Sequence, residues 1–385
     1  MRAIIGHSDE VCTKTAVEQV LEQCSAQLDG DTPKAAMLFM STDYDHAEAL
    51  GLVAAQWPEV PLIGGSTDGE VSSLLGFVRD SVLLTVLVGD EIEAMACVAH
   101  DLSGDIEAAV DSVIGKLGGR KPALCVTTFA PSTNSSEVVR QLDRRLGAGT
   151  CPIVGGLTGD HREFARTAEF AGKEVLTDSL PVLFLFGKVR VSWGIGSGWF
   201  PIGPAHVVTR STGHEVFEID DKPATELYRE YWGNVPEDSL GEYPLAVFPN
   251  GDQGASCLRA PLGTDIAGGS IRFAGEVAQG AVVRITEVLP EGILAGSVDS
   301  VRGAVANYSG TAPALALVFS CAARKWVLGT KATEEVGLLR EQFAETGWQD
   351  VPVAGFYCFG EIAPFQSGDE GQFHNETCVT VLIGG

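Results

Sequence analysis

Residues 352–361 read Pro352-Val353-Ala354-Gly355-Phe356-Tyr357-Cys358-Phe359-Gly360-Glu361. The same grammar occurs twice earlier, as Pro61-Leu62-Ile63-Gly64-Gly65-Ser66-Thr67-Asp68-Gly69-Glu70 and as Pro152-Ile153-Val154-Gly155-Gly156-Leu157-Thr158-Gly159-Asp160. Each copy runs proline, two small or branched apolar residues, glycine, then a loop closing on glycine and an acid. An internal repeat constrains a fold more than any single motif, because every copy has to build the same unit.

The flanks repeat as well. Strand-length apolar runs at 35–40, 123–127 and 314–319 precede the motifs, each beside a proline (Pro33, Pro122, Pro313). They read as buried strands. Between run and motif, apolar residues recur at helical spacing: Ala47, Leu50 and Ala54 in 45–56, Val138, Val139 and Leu142 in 135–146, Val336, Leu339 and Phe343 in 333–346. Thr333 resembles a helix start, with Glu335 one position early for a capping box. Apolar strands follow at 81–88, 180–186 and 377–383, and further helices precede the units at 13–28, 106–117 and 292–307.

The pattern predicts an α/β protein with mixed, partly parallel sheets flanked by helices, built from three similar αβαββ units plus a β-rich insert. The units are about 1–90, 91–190 and 286–385. The insert carries short strands at 191–196, 206–210, 215–219, 270–273 and 281–286, and one helix at 224–232. The turn-prone stretch Ile219-Asp220-Asp221-Lys222-Pro223 is the expected boundary between two domains, 1–220 and 221–385.

The 385 residues carry 26 Lys+Arg against 51 Asp+Glu, a net charge of −25, with 45% hydrophobic residues. That apolar content belongs to a folded chain. A surface this acidic repels phosphate backbones and anionic headgroups, so nucleic acid and membrane surfaces are excluded as partners. No apolar run approaches the roughly 20 residues of a spanning helix, and Ala3-Ile4-Ile5 is too short for a signal peptide. The expected location is the cytoplasm. Nine cysteines include no C-x-x-C, and Cys97, Cys125, Cys358 and Cys378 sit in apolar contexts, which predicts reduced, mostly buried thiols.

The chain resembles the FIST family over nearly its whole length. The resemblance rests on Gly64-Gly65-Ser66-Thr67, on Gly155-Gly156-Leu157-Thr158-Gly159-Asp160 and, more strongly, on Phe319-Ser320-Cys321-Ala322-Ala323-Arg324, Gly355-Phe356-Tyr357-Cys358-Phe359-Gly360-Glu361-Ile362 and His374-Asn375-Glu376-Thr377. It implies an N-terminal and a C-terminal FIST domain. It also implies a sensory module that binds a small molecule, such as an amino acid or related metabolite, and signals through a separate partner such as a histidine kinase. Because part of the family is similar to nitric-oxide-sensing haem proteins, haem is a possible rather than a required cofactor.

The candidate site residues follow. Gly64, Gly65, Ser66, Gly155 and Gly156 let backbone approach a ligand at strand ends, or they are tight turns needed for packing. The first loop, G-G-S-T-D-G, fits neither phosphate-binding fingerprint. The loop acids Asp68, Glu70, Asp160 and Glu361 could meet an ammonium group. Arg324 could clamp a ligand carboxylate, or it pairs with Glu361. His374 could be an axial haem ligand, the one metal role considered, or a donor beside Asn375; alternatively it is a satisfied structural histidine. Phe356 and Tyr357 supply flat apolar surface or core. Cys321 could face the ligand, or act as a nucleophile with Arg324 and His374, although packing is the plainer reading. No catalytic residue is assigned, and the other histidines lack zinc-ligand spacing.

Overall fold

In each unit the apolar run and the glycine motif become a parallel strand pair. These pairs are Pro33–Met40 with Leu62–Ser66, Leu124–Thr127 with Ile153–Gly156, and Leu315–Cys321 with Val353–Cys358. The first motif glycine explains the closeness of the pair. A Cβ built on Gly64, Gly155 or Gly355 would lie 1.8 Å from the Leu38 carbonyl oxygen, 1.9 Å from that of Thr127 and 1.9 Å from that of Val318. Only a residue without a side chain fits there. The computed structural model describes residues 1–131, 133–234, 236–248, 251 and 256–385.

Two antiparallel strands extend each pair on one side. The unit's last strand comes first (Val82–Val88, Ser179–Gly187, Cys378–Gly384), and a leading strand lies beyond it (Arg2–Ser8, Ile92–His100, Arg190–Gly196). The sequence reading omits the leading strands from the unit. It also assigns 191–196 to the insert, whereas that segment is the outer strand of the third unit's sheet.

The other side of each pair is completed by a neighbouring unit. The hairpin Glu70–Ser72/Gly76–Val78 of the first unit joins the third unit's sheet. The hairpin Glu169–Ala171/Glu174–Leu176 of the second joins the first, and Glu361–Pro364/Gly371–His374 of the third joins the second. Three six-stranded sheets are thus stitched in a cycle. Their inner faces share one core, with Met37 and Phe39 from the first unit, Val126 and Leu183 from the second, and Phe319, Phe356 and Val381 from the third.

Helices cover the outer faces. Asp45, Asp105 and Asn134 cap three of them, each side chain accepting a backbone N–H three residues on at 3.0–3.2 Å. The helix Ala332–Glu345 starts before Thr333 and has no side-chain cap at its start. A short helix absent from the sequence reading, Ala322–Leu328, follows the third unit's run.

The insert forms its own antiparallel sheet between Phe200 and Glu287, with the helix Ala224–Trp232 packed on it. Residues 219–223 make a turn within this sheet, where Glu218 pairs with Pro223 and Ile219 with Lys222. Among the described residues no helix is long and apolar enough to cross a membrane.

Candidate functional site

The cyclic stitching puts three acids in equivalent places. Glu70, Glu169 and Glu361 open the three crossing hairpins and pair with Phe356, Gly65 and Gly156, the residues after the close-contact glycines. Burial pushes each carboxyl up to about 8. The second unit's equivalent acid is therefore Glu169, not Asp160 as the motif alignment suggests. Ser81 Oγ donates to Glu70 at 2.5 Å, and Thr377 donates to Glu361 through its backbone N–H at 3.1 Å and its hydroxyl at 2.6 Å. Glu169 lies near the backbone N–H of Ser179, but neither of its carboxylate oxygens has a hydrogen-bond partner.

Each of these hydroxyl residues follows an acid: Asp80-Ser81, Asp178-Ser179 and Glu376-Thr377. The three acids have different fates. Asp80 meets Ser41 and His161 at 3.3 and 3.1 Å. Asp178 accepts from the backbone N–H and hydroxyl of Ser103 at 2.9 and 2.8 Å. Glu376 is fully buried, and neither of its carboxylate oxygens has a hydrogen-bond partner. Like Asp178 at φ 49°, it is held in a left-handed conformation, at φ 60°, which costs a non-glycine residue about 1–3 kcal/mol. Burial and the adjacent Glu361 push its carboxyl well above the usual range.

Glu376 lines a cavity of about 320 Å³. The third unit contributes Cys321, Ala322, Ala323, Trp326, Phe359 and Asn375, the second contributes Arg162 and Phe164, and the insert closes the cavity with Gly241, Ala260, Pro261, Leu262 and Ala274. Phe164 stacks on Phe359 with centroids 4.4 Å apart, and the Arg162 guanidinium lies 3.4 Å over the Trp326 ring. Asp160 shapes this wall. Its carboxylate accepts the backbone N–H groups of Phe164, Ala165 and Arg166 at 2.7–2.8 Å, folding the loop that presents Arg162 and Phe164.

Of the residues singled out in the sequence, Cys321 and Asn375 line the cavity and Asp160 braces it. Burial, with Glu361 and Glu376 nearby, pushes the Cys321 thiol well above its usual value, which keeps it protonated at neutral pH. Asn375 Oδ1 accepts the Ala260 backbone N–H at 3.4 Å, fastening the insert over the cavity.

The other candidates serve the scaffold. Gly64, Gly155 and Gly355 are the close-contact glycines. Gly65 and Gly156 let the units touch, since an added Cβ would lie 2.6 Å from Thr158 Cγ2 and 2.8 Å from Cys358 Sγ. Ser66 Oγ accepts the Ala168 backbone N–H at 2.9 Å and holds the second unit's hairpin. Phe356 packs between Phe39 and Phe319 in the shared core. The Tyr357 hydroxyl donates to Glu335.

Arg324, expected to clamp a ligand carboxylate or pair with Glu361, is wholly buried and bonds Glu335 at 2.8 Å, Ser297 Oγ at 2.5 Å and the Ile293 carbonyl at 3.0 Å. Burial opposes its charge, but Glu335 beside it outweighs that and holds its pKa up. This ion pair ties three helices of the third unit together. Glu361 is buried under Thr377 and does not line the cavity.

His374 borders a separate cavity of about 410 Å³. Its Nε2 bonds the Ala363 carbonyl at 2.8 Å, its ring packs edge-on against Phe365, and burial lowers its pKa to about 4. Nε2 is thus committed to the backbone carbonyl, which leaves Nδ1 as the nitrogen open to any metal role.

Comparison with known proteins gives the geometry a family. The FIST N domain matches residues 34–222 and the FIST C domain residues 224–364. The chain belongs to the FIST family. FIST domains are associated with signal transduction and small-ligand sensing, and the family is not a known enzyme family. The chain is also 28% identical over 197 residues to an uncharacterized protein of Methanocaldococcus jannaschii; the match covers 47% of this chain and 38% of that protein.

Sequence reasoning missed Glu376, Trp326, Arg162, Phe164 and the insert's share of the cavity. The recurring acid-hydroxyl pair (Asp80-Ser81, Asp178-Ser179, Glu376-Thr377) could have pointed to Glu376. No local pattern brings residues 162, 241, 262 and 326 together, because that proximity is created by the crossing hairpins and the returning insert.

Proposed function

We propose that this FIST protein is a sensor that binds a small molecule, an amino acid or related metabolite, in the cavity bounded by Glu376, Trp326, Phe359 and Arg162, and passes the bound state to a separate signalling protein such as a histidine kinase. One observation carries this reading. Glu376 is a buried, unpartnered carboxyl in a strained conformation, set in the wall of a mostly apolar cavity. Natural folds hydrogen-bond their buried polar groups, and an exception of this kind asks for a partner from outside the chain. A cavity of a few hundred Å³ with apolar walls and few polar groups is also the usual form of a small-molecule site.

The three contributors to the lining suggest the route of the signal. The loop 160–166, the strand end at Cys321 and the insert belong to separate parts of the chain. A ligand touching all three stabilises one relative placement of them, which a partner can read.

The test is a thermal-shift screen of metabolites on the full chain. Ligands of the folded state raise the melting temperature with concentration. Gly241→Leu fills the cavity: an added Cβ there meets nothing nearer than 3.7 Å, and Trp326 is 3.9 Å away. A ligand whose shift disappears in Gly241→Leu supports the assignment. A ligand whose shift survives unchanged places binding elsewhere.

A further inference from the structure

The cavity's charge is not balanced from within. The groups that act on Glu376 are Glu361 on the crossing hairpin, Glu242 on the insert, Arg162 on the 160–166 loop and Arg324 on the short helix. Arg324 pairs with Glu335 at 2.8 Å, and Arg162 pairs through one terminal nitrogen with Glu242 at 2.9 Å and covers Trp326, its Nε being left without a hydrogen-bond partner. Arg259, on the insert, spends its guanidinium on the carbonyls of Glu276, Leu258 and Phe373. Glu361 is satisfied by Thr377. Glu376 therefore lacks a counter-charge, and the Cys321 thiol beside it supplies none.

The walls narrow the ligand class further. Trp326, Phe359 and Phe164 present aromatic surface around the acid. Aromatic faces attract cations, and a carboxylate in a site with few waters binds them more strongly than it does in solution. An anionic group placed at Glu376 would meet an acid whose two neighbouring cations are each already ion-paired with another glutamate.

Resting on the assignment of the cavity as the ligand site, we infer that its ligand is a small organic cation. A protonated amine or amidine of the ligand bonds the Glu376 carboxylate, and the ligand's apolar portion packs against Trp326 and Phe359.

The empty site holds Glu376 as the neutral acid. The ligand cation binds the carboxylate form, so the Glu376 proton leaves to solvent as the ligand enters. Affinity then rises with pH until the ligand's own amine loses its proton.

The test uses isothermal titration of the full chain with a matched series: phenethylammonium and butylammonium, the corresponding alcohols, and the corresponding carboxylates. Each titration is run at pH 7 in two buffers of different ionisation enthalpy, on wild type, Glu376→Gln and Gly241→Leu. The expected result is binding of the ammonium members alone, release of a fraction of a proton up to one per ligand, and a loss of affinity of about 30-fold or more in Glu376→Gln. Circular dichroism melting confirms that each variant is folded.

If alcohols or carboxylates bind as well as the amines, and Gly241→Leu abolishes that binding, the cation inference falls and the cavity assignment stands. If amines bind equally to wild type and Gly241→Leu, both fall. If no member of the series binds wild type, the cation inference falls, and the metabolite screen decides the cavity on its own.

Discussion

The first and third units end in the same structure and differ in one respect. In the first, the acid ahead of the last strand, Asp80, is half exposed and bonded to Ser41 and His161. In the third, Glu376 occupies the equivalent place fully buried and unbonded, under a roof supplied by the insert. The hairpin acids beside them, Glu70 and Glu361, are alike in burial, in the hydroxyl that serves them and in their raised pKa. The scaffold is therefore repeated, while the proposed site lies where one copy departs from it. Stability features should behave alike in all units, and binding features should belong to the third alone.

The sharpest way to break this comparison is through the glycines. Gly64→Ala, Gly155→Ala and Gly355→Ala each force a Cβ into a backbone carbonyl, and each is expected to cost about 4 kcal/mol or more. Gly337→Ala, in open space inside a helix, should stabilise by about 1 kcal/mol. Urea denaturation measures all four. If Gly355→Ala alone is tolerated, the three units are not mechanically equivalent.

The next effect is on pH dependence. Glu70, Glu169 and Glu361 hold their protons up to about 8 when folded, against 4.5 for the ordinary group. Between those values the folded state carries more protons than the unfolded chain, so rising pH favours unfolding. The contribution is fully present below about pH 4.5 and is lost as pH rises through 8. His7 and His374 work in the opposite sense below 6.5, because burial lowers both to about 4. Urea midpoints should therefore fall from pH 6.5 to 8. Glu361→Gln, which mimics the protonated acid, should flatten that fall. An unchanged slope in the variant would assign the dependence to other groups.

A smaller effect has opposite signs in two units. Glu376→Gly removes an unpartnered acid and a left-handed strain, and should raise stability by about 2 kcal/mol while abolishing ligand-induced shifts. Asp178→Ala, at the equivalent place in the second unit, loses two hydrogen bonds to Ser103 and should lower stability by about 1 kcal/mol. Melting curves read both. Destabilisation by Glu376→Gly would mean that the acid serves the fold.

The repeat made the sheets legible in the sequence. A glycine in a buried strand has few physical reasons, and three copies at one place left the parallel pairs as the natural reading. The helix 135–146 matches residue for residue, because Asn134 and Gly147 bound it with a cap and a left-handed turn. The crossing hairpins were not legible. Segments such as Glu70-Val71-Ser72 are three residues long, and their partners lie in other units, which local periodicity cannot reach. The site suffered from the same limit. Arg324 resembled a ligand clamp because it follows a strand, yet it is buried against Glu335, eleven residues further along the chain. The motif glycines looked like a ligand cradle, but the close approach they permit is to the neighbouring strand.

A crystal structure of the full chain with a ligand identified by the thermal-shift screen tests the central claim most directly. The account predicts ligand density against Trp326 and Phe359, with a polar atom within hydrogen-bond distance of the Glu376 carboxyl. Density at Asp80 or Asp178, or in the cavity beside His374, with the Glu376 cavity empty, would contradict it.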